Sequence, residues 1–92
     1  MEKFNIICET ISVSRGTIKE RKTSIEESFE KLSDAEFYLQ KLCIHYRREM
    51  NRQLDDEIKK IDFRDKYLCI TFGNGYFRPF VSKLYYICKR MA

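Results

Sequence analysis

Apolar and polar residues alternate at the start of the chain. In KFNIICETISVS, residues 3–14, Ile7, Ile11 and Val13 alternate with Thr10, Ser12 and Ser14. Together with the β-branched content, this predicts a half-buried strand. SRGT at 14–17 predicts a turn, with Gly16 free to take positive φ. The following TIKERKTS predicts an edge strand, on which Lys19, Arg21 and Lys22 discourage unwanted pairing.

The period then changes. Ser24 followed by Glu27 is a capping-box spacing and predicts a short helix over 25–31. Ser33 with Glu36 repeats it and opens the principal helix, about 34–58. At about 100° per residue, Leu39, Leu42, Cys43, Tyr46, Met50 and Leu54 share one side, with Lys41, His45, Arg48 and Arg52 opposite. A helix of that length would run roughly 35 Å, which leaves room for a break near Asp55-Asp56.

Further on, YLCITFGNGYFRPF at 67–80 predicts a hairpin turning at Asn74-Gly75. That turn sets Phe72 opposite Phe77, Ile70 opposite Pro79 and Leu68 near Val81, with Tyr67, Cys69, Thr71, Tyr76, Arg78 and Phe80 on the other face. Phe80, Val81, Leu84, Ile87, Cys88 and Met91 then follow helical spacing and predict a C-terminal helix, with a strand through LYYIC as the alternative. The expected fold is α+β in a single domain, 1–92. It has a small antiparallel sheet of about four strands, packed with one long helix and one or two short helices.

Composition narrows the classes. A hydrophobic share of 43% beside 35% charged residues is globular, and no apolar run approaches the roughly 20 residues of a membrane-spanning helix. MEKFNIICETIS lacks the apolar core of a secretion signal, so a cytoplasmic location is expected. The balance of +4 permits an acidic partner without requiring one. Cys8, Cys43, Cys69 and Cys88 form no close pair and sit beside aliphatic or aromatic residues, which predicts buried free thiols and no metal.

Candidate chemistry is sparse. Gly73 and Gly75 give GxG without the spacing of either phosphate-binding glycine motif. The RNA-reading strand pattern fails as well, because Asn74 and Pro79 stand where it needs aromatics. His45 is the single histidine, with no nucleophile or orienting carboxylate set by spacing. The acids at 26–30 suit a helix start, and those at 55–57 have no calcium-loop spacing. Nothing converges on an active site, so a binding protein without a cofactor or small-molecule substrate is expected. The organised polar feature is the basic strip of Lys41, His45, Arg48 and Arg52. Lys19, Arg21 and Lys22 extend it in this reading, and Tyr76 with Arg78 suits phosphate contact and base stacking. The plain alternative for the strip is a solvated helix face.

The opening strand MEKFNIICETISVS, the central SDAEFYLQKLCIHYRREMNRQL and the closing ITFGNGYFRPFVSKLYYICKRM together resemble, in size and layout, the small phage-encoded anti-CRISPR inhibitors. That class shares no diagnostic motif, so no site residue is carried over. The resemblance implies stoichiometric binding to a bacterial CRISPR surveillance complex, protein subunits and guide RNA, and a block on target recognition. In that setting Arg48 and Arg52 would meet phosphates. A free RNA- or DNA-binding regulator and a protein–protein adaptor are the competing expectations.

Overall fold

The computed structural model describes residues 2–52, 58–64, 66–73 and 80–91. β1 (Glu2–Ser14) and β2 (Thr17–Phe29) form a long hairpin, followed by α1 (Leu32–Arg52). Three further strands follow: β3 (Ile58–Arg64), β4 (Tyr67–Phe72) and β5 (Phe80–Met91). All neighbouring strands are antiparallel in one five-stranded sheet of order β2-β1-β5-β4-β3. The α+β class is as expected, with five strands in place of four and a single helix among the described residues.

The first hairpin closes as its sequence predicts. Ser14 pairs with Thr17, and Arg15 and Gly16 between them have φ of 53° and 76°. Two positive-φ residues in a two-residue loop make a type I′ turn. The predicted helix over 25–31 does not form, because β2 runs on to Phe29 and pairs with β1 along its whole length. Lys19 and Glu26 are the extra residues at two register shifts, so the capping-box spacing at Ser24 gives way to ladder pairing.

The helix begins at Leu32, where the Ala35 N–H donates to the Lys31 carbonyl at 3.3 Å, and Asp34 lies in the first turn. Its described residues run to Arg52, and the predicted end at 58 does not hold, since Ile58 is the buried first residue of β3. Leu54 and Asp55-Asp56 lie outside the described residues. The C-terminal segment takes the alternative form and is a strand. Its register differs from the predicted hairpin by four residues: Phe72 pairs with Val81 and Ile70 with Lys83. Four is even, so Leu68, Ile70, Phe72 and Val81 still share a face.

That shared face is the one the helix covers. Ile6 and Cys8 of β1, Leu68 and Ile70 of β4, Tyr85 of β5 and Ile58 of β3 meet Ala35, Leu39 and Cys43 of α1 in one buried cluster. Ala35 and Cys43 are small enough to let the helix close on the sheet, and Leu39 fills the gap between them with no exposed surface. Tyr46 reaches across to share a 2.9 Å hydrogen bond with Tyr85.

The second face holds a surprise about β1. Ile7, Ile11 and Val13, whose alternation predicts the buried side, lie on the face away from the helix, and the core instead takes Ile6 and Cys8. The pairing puts Leu84 and Tyr86 of β5, and Tyr67 and Cys69 of β4, on this same second face. Among the described residues nothing packs over it. The radius of gyration, 14.4 Å, exceeds the roughly 12 Å of a compact chain this long. Extents of 47 × 28 × 16 Å fit a twisted sheet with one helix on one side.

Candidate partner-binding site

The outer face of α1 is the candidate site. Its inward stripe is set by Ala35, Leu39 and Cys43, which turns positions 37, 41, 44, 48 and 52 outward. Phe37 and Ile44 are 56% and 50% exposed, and Lys41, His45, Arg48 and Arg52 are exposed beside them. The Lys41 Nζ lies 4.9 Å from the centre of the Phe37 ring, a cation–π contact that holds both side chains at the surface. Among the described residues neither Arg48 nor Arg52 makes an ion pair. The face therefore offers uncompensated positive charge interleaved with apolar surface.

Met50, expected on the inward stripe, is exposed. Leu42 and Tyr46 pack partly against the core as expected. Beside the first turns of α1, Phe29, Asp34, Phe37, Tyr38 and Lys41 line a shallow open cavity of about 200 Å³. Among the lining side chains, the Phe29 and Tyr38 rings lie 5.6 Å apart, tilted by 51°. Burial, and then the negative charge of Glu26 and Glu27, raise the Tyr38 phenol above its ordinary value, so it stays neutral.

The residues of β2 expected to extend the basic surface lie on the sheet and not on this face. Arg21 bonds Glu9 at 3.1 Å and Lys22 bonds Glu20 at 3.3 Å, so both charges are answered within the hairpin. The pairing also sends them to opposite faces: Arg21 sits beside Ile11 on the side away from the helix, and Lys22 beside Thr10 on the helix side. Lys19 is the extra residue at a register shift on the outer strand. Tyr76 and Arg78 lie outside the described residues, as does the turn predicted at Asn74-Gly75. The strip on α1 thus stands apart from Arg21 and Lys22.

The cysteines divide. Cys8 and Cys43 are buried in the core, Cys69 is half-buried and Cys88 is exposed, which corrects the expectation of four buried thiols. Burial, with the carboxylate of Asp62 next, raises the Cys69 thiol above its ordinary range, which leaves it the poor nucleophile that a protonated thiol is. No cluster of three or more metal-ligating side chains occurs among the described residues. No helix among them is long and apolar enough to cross a membrane.

Sequence reasoning missed the exposed Phe37 and Ile44, although their spacing from Lys41 and Arg48 was available on the same helical wheel. It also missed the Tyr46–Tyr85 pair, for which no local signal exists, since the partners are far apart in sequence and meet only through the fold. Comparison with known families, with characterised proteins and with solved structures finds no match.

Proposed function

We propose that this protein is a non-enzymatic phage inhibitor that docks on a bacterial CRISPR RNA–protein surveillance complex through the outer face of α1 and blocks target recognition. One observation carries the reading. The outer face of α1 sets Arg48 and Arg52, free of ion pairs among the described residues, beside the exposed Phe37 and Ile44. Arginines suit phosphate oxygens of a guide RNA, and the apolar pair suits the protein that carries it. Lys41 adds longer-range attraction for the approach.

The test is inhibition of target binding by a purified surveillance complex, with Arg48→Glu/Arg52→Glu compared with the parent. Both side chains are exposed, so the variant keeps its circular dichroism spectrum and thermal midpoint. Its inhibitory potency is expected to drop at least tenfold, and the parent's binding to weaken steeply with added salt. A folded double variant that inhibits as well as the parent would show the assignment to be wrong.

Phe37 and Ile44 favour a second reading, a protein-only adaptor anchored by these two side chains. Its binding would survive nuclease treatment and respond weakly to salt, with the loss confined to Phe37→Ala and Ile44→Ala. A free nucleic-acid regulator differs from both by binding naked RNA or DNA without a protein scaffold.

A further inference from the structure

The shallow cavity beside the first turns of α1 is lined by the residue types of a cation site. β2 ends on Phe29, and the chain passes through Glu30-Lys31 into the helix. Asp34, Phe37, Tyr38 and Lys41 then fall at i, i+3, i+4 and i+7, one stripe of α1, and this stripe lines the cavity with Phe29. Packing accounts for Phe29 and Tyr38, which lie partly buried against the core. It does not account for Phe37, 56% exposed at the same opening. Three aromatic rings around one small space offer π-faces, and π-faces attract cations. Lys41 shows that attraction within the chain, with its Nζ 4.9 Å from the centre of the Phe37 ring. Among the described residues no cation lies over the Phe29 or Tyr38 ring.

The charge around the cavity has the matching sign. Residues 26–41 carry Glu26, Glu27, Glu30, Asp34 and Glu36 against Lys31 and Lys41, in a chain whose balance is +4. Among the described residues none of these acids makes an ion pair. Burial first, and then Glu26 and Glu27, raise the Tyr38 phenol, so the negative potential of these two acids reaches that ring. Asp34 stands in the first turn of α1, where the helix dipole favours an ionised carboxylate.

We infer that this cavity receives an arginine side chain of a partner protein, its guanidinium against the Phe29 and Tyr38 rings and on the Asp34 carboxylate. A planar guanidinium stacks on aromatic faces and also bonds a carboxylate through a fork of N–H donors, which a lysine ammonium does not. An anion would meet like charge, and an apolar side chain would bury Asp34 without a partner. The volume, about 200 Å³, takes a side-chain head group. It falls below the roughly 300 Å³ at which small-molecule pockets begin. The contact is independent of the phosphate contact proposed for Arg48 and Arg52, which lie further along the same helix.

The test is NMR of the whole chain with a blocked Gly-Arg-Gly peptide and its citrulline counterpart, which keeps the shape and lacks the charge. A single head group of this kind binds weakly, so the titration runs to about 20 mM at constant ionic strength. The arginine peptide is expected to shift the Phe29, Phe37 and Tyr38 ring signals along a saturating curve. The citrulline peptide should bind roughly tenfold more weakly. Asp34→Asn should weaken the arginine peptide about fivefold. Glu20→Gln removes an equal charge near the start of β2, away from the cavity, and should leave binding unchanged. Coinciding arginine and citrulline curves, no saturation with arginine, or equal curves for Asp34→Asn and Glu20→Gln would each overturn the assignment. Saturation by tetramethylammonium and not by arginine would overturn it too, and give the cavity to a methylated ammonium. The arginine–citrulline comparison uses the parent chain, so it decides the matter even if Asp34→Asn does not fold.

Discussion

Tyr85 shows how one side chain serves two roles. Its ring fills the core against Cys8 and Leu68, and its hydroxyl is answered by Tyr46 at 2.9 Å. Burial first, and the Tyr46 hydrogen bond second, push its phenol far above the ordinary value of 10.0. The folded chain thus holds this proton at pH values where the unfolded chain releases it. The resulting stability is fully present below pH 10 and is lost as the pH climbs beyond it. Tyr85→Phe removes the hydrogen bond, leaves Tyr46 seeking a partner and should cost about 1 kcal/mol at neutral pH. Urea midpoints measured from about pH 8 to 11 should show the parent's advantage narrowing above 10. A gap that stays constant across the range would mean the phenol is not buried as described.

At the scale of elements, the local signals succeeded where structure is local. The type I′ turn at Arg15-Gly16 and the body of α1 follow from their own residues. Arg15 holds a left-handed conformation that costs an L-residue about 1 kcal/mol or more, and asparagine tolerates it better. Arg15→Asn, which creates an Asn-Gly turn, should raise the thermal midpoint with a gain of up to about 1 kcal/mol. Gly16→Ala should lower it by a similar amount through φ alone, since a Cβ there would meet nothing within 4 Å. Equal midpoints for all three chains would place the turn in another conformation.

The failures belong to strands whose partners lie elsewhere. Sequence alternation finds a strand without saying which side is covered, and β1 is apolar on both sides over its first half, so Ile7 looked as inward as Ile6. β3 was missed because its two lysines and final arginine masked Ile61 and Phe63, which do alternate with Lys60 and Asp62. The helical spacing in 80–91 lost to pairing with two neighbours, β1 and β4. The basic strip could be read on the wheel, but the answering of Arg21 by Glu9 and of Lys22 by Glu20 could not, because those contacts depend on hairpin register and side-chain placement. The even register error in the last hairpin preserved the faces, so its apolar side was assigned correctly despite wrong partners.

At the scale of the molecule, strand order decides how the parts depend on one another. β5 alone touches both the β1–β2 hairpin and the β3–β4 hairpin along their ladders. The Lys89–Glu2 ion pair at 2.9 Å ties the far ends of β1 and β5 together. Contacts between segments so distant in sequence make folding slow relative to a helical bundle. A chain ending at Pro79 should show no cooperative thermal transition, even though it retains four of the five strands and the whole helix. A sharp transition in that fragment would show that α1 can hold the two hairpins together without β5.

The same dependence bears on how the gene can fail. During synthesis β1 emerges well before β5 and waits, with one edge unmatched, until that strand is translated. A premature stop within codons 80–91 would therefore act as a loss of the entire product and not as a trimmed version of it. A frameshift in the codons for β5 would be as damaging as one in the codons for β1.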